Sequence, residues 1–180
     1  MEDFARKALL LSLMQDMKEQ GSWCGETHVQ KSVYFLQEGL KVPLDFKYLL
    51  YKHGPFSFEL REVLGEMRGS FLLRVEPRGS YGSSLEVDEP GTRLKENFPR
   101  TVSRYQKHIQ FIAQKIASRD VVGLERMGTA LYVRTTWSAL SPGDQAAKIT
   151  ELKPHITIDL AEQAMSEIEG LLNEASYLEW

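Results

Sequence analysis

Cys24, His28 and His53 are the residues of this chain whose types lend themselves to chemistry, with Glu26 beside the first two. Cys24 and His28 stand at a spacing that lets a thiolate and an imidazole share one metal ion, and Glu26 would add a carboxylate. A zinc site normally adds a second Cys/His pair, and the sequence has none. Cys24 follows Trp23 with no orienting third group or oxyanion hole marked nearby, so a Cys/His nucleophile finds no support. His108 sits beside Lys107 in a helical stretch, and His155 follows Lys153 and Pro154 in a loop. The first reads as a solvated position and the second as a local hydrogen-bonding residue. The loop of Gly79 and Gly82 lacks the lysine and helix of a phosphate cradle, and no carboxylate pair stands out. The expectation is a protein that is not an enzyme and uses no metal or cofactor.

Whatever these residues do, the elements that position them must be built from 180 residues, enough for one ordinary domain with a buried core. The hydrophobic share of 42% and charged share of 26% describe a globular chain. Cys24 is the only cysteine, so no intrachain disulfide forms and a cytoplasmic location is expected. The N-terminal apolar run is flanked by acids, reads as an amphipathic helix, and nothing in the sequence predicts a membrane span.

Phe4, Ala5, Ala8, Leu9, Leu13 and Met17 recur at helical spacing over residues 4–20, with Lys7, Gln15 and Lys18 on the other side. Thr27 and Gln30 suggest a capping box opening a second helix, whose stripe is Val29, Val33, Leu36 and Leu40 and whose stop is Pro43. Asp45 to Lys52 reads as a short strand ended by Gly54 and Pro55. Ser57 is expected to cap a helix through Met67. Phe71, Leu73 and Val75, then Leu85 and Val87, alternate as a hairpin around a Gly/Ser-rich tip. Asp88 to Gly91 is the expected boundary between two parts, residues 1–89 and 90–180, of a single domain. Beyond it the seam Phe98, Val102, Tyr105, Ile109, Ile112 and Ile116 predicts a long helix. Further helices follow through Leu131, from Ser141, and from Thr157. The fold expected is therefore α+β and mostly helical, a winged-helix-like N-terminal half with a small β-hairpin packed against a C-terminal helical bundle.

Net charge is −3, from 22 Lys and Arg against 25 Asp and Glu, which is not the balance of a dedicated nucleic-acid binder. Charge is unevenly spread: residues 90–119 hold seven basic residues against Glu96 alone, and residues 120–180 hold four against ten acids. The basic segment either lies against the acidic helices or forms a face, through Arg100, Arg104 and Lys107, for an acidic partner. A winged-helix outline suggests DNA, read by Arg74 and Arg78 at the hairpin. The helix that would enter the groove carries Glu59, Glu62 and Glu66, which repel phosphates.

Two segments carry a resemblance. Val29 to Leu36, VQKSVYFL, resembles the KLQKLLYFAQ helix of the SocA-like antitoxins, or Panacea domain, and KHGPFSFEL from Lys52 to Leu60 resembles that family's YGP junction. The YwgA-like branch is similar also through Leu124 to Tyr132 and Glu151 to His155, so the likeness spans residues 4–172. The chain departs from the pattern at Ser32, where a larger apolar residue is usual, and at His53, where tyrosine is common. The resemblance implies a non-catalytic, antitoxin-type or adaptor-type module that neutralises or delivers a protein partner. Its implied contact residues are Lys52, His53, Gly54, Pro55 and Ser57, joined by the basic face. A nucleic-acid-binding regulator is the alternative, and a homodimer through the seam stays open.

Overall fold

A computed structural model describes residues 1–77, 79 and 82–178 of the chain. Arg78, expected at the hairpin tip, lies outside the described residues. The first helix, α1 (Asp3–Glu19), is not the one-sided helix expected: Ala8, Leu9, Leu10, Leu11, Leu13 and Met14 are all buried, while Phe4 is exposed. A helix apolar on nearly every side belongs inside a molecule. Two later helices, α4 (Glu89–Glu96) and α5 (Pro99–Ile116), supply the covering. The seam Tyr105, Ile109, Ile112 and Ile116 thus closes against α1 within the chain.

The second helix, α2 (Glu26–Tyr34), begins one residue before Thr27 with Gly25 at its cap, so the expected capping box is absent. It runs into a π-helical turn, Phe35–Gly39. Val29, Val33, Leu36 and Leu40 all face the core as their spacing predicts. The expected strand from Asp45 is instead a tight antiparallel hairpin, β1 (Leu49–Tyr51) with β2 (Gly54–Phe56), in the register Leu49 opposite Phe56 and Tyr51 opposite Gly54. Gly54 and Pro55 do not end a strand; they form most of one. Ahead of it, Val42, Leu44 and Phe46 alternate inward without a pairing partner, because the Gln37 amide takes the Phe46 backbone in two 2.8 Å hydrogen bonds.

Helix α3 (Phe58–Gly69) starts where predicted, with the Ser57 hydroxyl accepting from the Leu60 amide at 3.1 Å. The second hairpin pairs β3 (Leu73–Pro77) with β4 (Ser83–Val87). Phe71 is not part of it: it has φ +57° and is exposed. The order α1, α2, β1–β2, α3, β3–β4 is winged-helix-like with a small hairpin inserted ahead of α3.

Asp88 to Gly91 is a tight junction. Asp88 caps α4 through its carboxylate, and a side chain at Gly91 would collide with the Leu72 carbonyl. Beyond α5, helices α6 (Val121–Thr136), α7 (Pro142–Leu152) and α8 (Ile158–Ala175) pack on one another, with α6 also packing against α2 and β2. One cluster of buried apolar residues runs from Leu9 to Leu171, and the fold is α+β and mostly helical. No helix among the described residues is long and apolar enough to cross a membrane.

Candidate functional site

The β1–β2 corner stands on three buried side chains, each making a bond that its local sequence makes possible. Gln30, on the inner side of α2, clamps the backbone of Ser57: its Oε1 accepts from the Ser57 N–H at 3.0 Å and its Nε2 donates to the Ser57 carbonyl at 2.9 Å. One turn face further, the Lys31 ammonium donates to the Pro55 carbonyl at 2.7 Å. From the far end of the chain, Lys153 follows α7 and donates to the carbonyls of Tyr51 and Lys52 at 2.7 and 2.6 Å. Lys52 lies in the two-residue turn, outside the ladder, and a part-buried carbonyl needs a donor. Lysine supplies it on a long stem.

Two glycines make the approach close enough. Gly54 has φ +82°, a conformation favourable to glycine, and a methyl there would lie 3.3 Å from the Glu125 carbonyl. On α6, a methyl at Gly128 would lie 3.1 Å from Pro55 Cδ and 3.4 Å from Lys31 Cδ. The hydroxyl of Thr129 turns back on its own helix, donating to the Glu125 carbonyl at 2.7 Å.

Glu125 is the anion of this cluster. It is 7% exposed, with Oε1 3.2 Å from Lys153 Nζ and 3.3 Å from His155 Nε2, and Oε2 3.8 Å from His53 Nδ1. Lys31 and Lys153 are 2% and 8% exposed. Burial pushes the Lys31 ammonium down to about 8; Glu125 opposes that shift and Lys153 adds to it. A cavity of about 240 Å³ opens beside Lys31.

The exposed side of the corner is aromatic. Tyr51, Phe56 and Phe58 form a cluster with ring centroids 5.1 to 5.7 Å apart, and Tyr51, Phe58 and Leu49 are 53%, 46% and 42% exposed. Of the expected contact residues, Lys52 and His53 reach the surface, whereas Gly54, Pro55 and Ser57 are buried. Those three frame the corner and do not themselves meet solvent.

The grouping of Cys24, His28 and His53 is not brought together. Cys24 is buried with its sulfur toward the Met14 carbonyl, and burial pushes its thiol up to about 12. The His28 ring is 3.0 Å from the Arg119 carbonyl, and His53 faces Glu125. Among the described residues no three His, Cys, Asp or Glu side chains converge to hold a metal ion.

Arg100, Arg104 and Lys107 are exposed on α5. The rest of the basic segment is largely engaged: Arg93 pairs with Glu89, Lys95 with Gln15, Lys115 with Glu174 and Arg119 with Glu167. Arg74 is tied down as well, 3.1 Å from Glu76 and 2.7 Å from Glu86. Arg74 and Lys18 together hold the Glu86 carboxyl down at about 2. Two of the acids on α3 are paired with α1, Glu59 with Arg6 and Glu66 with Lys7.

Lys31, Glu125 and Lys153 were not legible as a site from residue type and spacing. A signal was present in their setting: a lysine within the apolar run of α2, and a glutamate followed by glycine and threonine three and four residues on. All four segments that carry the family resemblance meet at this corner, through Gln30 and Lys31, through Gly54 to Ser57, through Glu125 and Gly128, and through Lys153 and His155. What fold and site define is an α+β, mostly helical protein with a buried charge cluster under an exposed aromatic corner. A comparison with protein-family models and with curated proteins returns no match.

Proposed function

We propose that the chain is a non-catalytic protein-interaction module of antitoxin or adaptor type, acting in the cytoplasm, that docks a partner protein on the β1–β2 corner. The observation that carries this reading is the aromatic cluster of Tyr51, Phe56 and Phe58, held partly exposed on a backbone fixed from below by Gln30, Lys31 and Lys153. Aromatic side chains of this kind supply large contact area at low entropic cost, and tyrosine and tryptophan dominate binding hot spots. A corner already rigid loses little freedom when it is covered. Lys52 and His53 add polar contacts at its rim, and the exposed basic face of Arg100 and Arg104 on α5 suits an acidic region of the same partner.

The resemblance to the SocA-like family supports the same reading, because the segments that carry it build this corner. The nucleic-acid alternative finds less support, since Arg74 is already neutralised by Glu76 and Glu86.

Affinity capture from the native host's lysate, with and without nuclease, tests the proposal. The expected result is one stoichiometric protein, retained after nuclease, whose affinity falls by roughly 30-fold or more on joint Tyr51→Ala and Phe58→Ala substitution, the size of a hot-spot loss. Recovery that depends on nucleic acid, or a partner indifferent to both substitutions, would remove the corner from the claim.

A further inference from the structure

We propose that the cavity beneath the β1–β2 corner is a binding site for one carboxylate group, anchored by the Lys31 ammonium. The inference goes beyond partner docking and does not rest on it.

Charge is the first observation. Lys31 and Lys153 are both more than nine-tenths buried, and among the described residues the buried anion that acts on both is Glu125. Two buried cations against one buried anion leave an excess of one positive charge. Buried charge without a counter-charge is costly, and a bound monoanion removes the cost. His53 and His155 face the same Glu125 carboxylate from outside.

Hydrogen-bond capacity is the second. The ammonium of Lys153 donates to the Tyr51 and Lys52 carbonyls and is ion-paired with Glu125, whose Oε1 accepts no hydrogen bond among the described residues. The Lys31 ammonium carries three donors. It has one hydrogen-bonded acceptor among the described residues, the Pro55 carbonyl. Lys31 also lines the cavity, so its remaining donors have open space beside them.

The cavity selects what can enter. At about 240 Å³ it is smaller than the roughly 300–1,000 Å³ of sites for drug-sized ligands, so the occupant is a small acid or a single acidic side chain. Tyr51 and Phe56 give it an aromatic wall. Lys52, His53 and Arg61 stand on its lining against Glu26, which is 3.5 Å from Arg61. The excess of one buried charge matches a carboxylate better than a phosphate dianion, which would bring a second negative charge beside Glu26.

The test is side-chain NMR of the full chain, following the Tyr51 and Phe56 ring protons in the native protein and in Lys31→Met, with the Lys31 ε-methylene as an added probe in the native protein, while benzoate, propionate, blocked glutamate (N-acetyl-glutamyl methylamide) and inorganic phosphate are added separately. The expected result is a saturable shift with the carboxylates, weakened about tenfold or more in Lys31→Met, as for loss of a charged hydrogen bond. Tighter binding of benzoate or propionate identifies a free acid as the source of the carboxylate. Tighter binding of blocked glutamate identifies an acidic side chain of another protein. Shifts that never saturate, shifts unchanged in Lys31→Met, or phosphate outcompeting every carboxylate would overturn the proposal. Should Lys31→Met fail to fold, protection of Lys31 from acetic anhydride by benzoate, read by mass spectrometry on the unaltered protein, takes its place. Acetylation of Lys31 at the same rate with and without saturating benzoate would equally overturn it.

Discussion

Lys31 is a lysine placed where a methionine would pack, and its charge should be measurable in the stability of the whole protein. Its folded value of about 8 lies below the ordinary 10.5 because burial disfavours the ammonium. Between those two pH values the unfolded chain holds a proton on Lys31 that the folded chain has released. Stability therefore rises with pH across that window and is flat below it. Urea unfolding of the native chain and of Lys31→Met should show a difference that grows in the native chain's favour from pH 8 to 10.5, by at most about 3 kcal/mol at 1.36 kcal/mol per unit. A difference independent of pH would mean that Lys31 is not desolvated. At this scale the sequence was least informative. It offered Cys24, His28 and His53 because their side chains are reactive in isolation, but reactivity depends on surroundings that periodicity does not give. Cys24 proved to be a core residue, and Gln30 spends its amide on Ser57, not on its own helix end.

Elements were easier to read than the residues they carry. The stripe of α2, the Ser57 cap of α3 and the seam of α5 are all local patterns of period and chemistry, and all appear. The failure at residues 45 to 56 has a physical cause: aromatic and apolar character marked an extended segment, but the partner strand was Gly54 to Phe56, whose composition reads as a breaker. Proline is tolerated there because the strand is an edge. Helix α6 shows how an element makes room for such a corner. Gly128→Ala should destabilise by about 1–3 kcal/mol, since the added methyl meets Pro55 and Lys31. Amide exchange at Lys52 to Phe56 should accelerate with it. Gly65→Ala on α3, where only the Arg68 guanidinium is near, should instead leave stability unchanged or raise it by up to about 1 kcal/mol. Equal effects at the two positions would show that close contact at Gly128 does not support the corner.

At the scale of the molecule, charge asymmetry along the sequence has a mixed outcome. Lys115 and Arg119 are spent on Glu174 and Glu167 of α8, as a purely internal explanation requires, while Arg100 and Arg104 point to solvent. Reversing Arg100, Arg104 and Lys107 to glutamate should leave the melting temperature within a few degrees, because exposed charges contribute little to stability. Partner capture should weaken under the same change, most strongly at low salt. Undiminished capture would confine docking to the aromatic corner. The overall α+β, mostly helical architecture was legible in advance because it is the sum of local patterns; the meeting of segments 30, 55, 125 and 153 at one corner was not, because nothing local encodes it. That meeting also has an order in time. Lys153 lies 101 and 102 positions after the two residues whose carbonyls it holds, so a chain emerging from the ribosome exposes Tyr51 and Lys52 well before their clamp exists. At about 5–20 residues per second the interval is roughly 5–20 seconds. Ribosome-bound chains stalled short of residue 153 should then fail to capture the partner that longer ones retain, making recognition a report that translation has passed α7; equal capture by both would show that the corner sets without it.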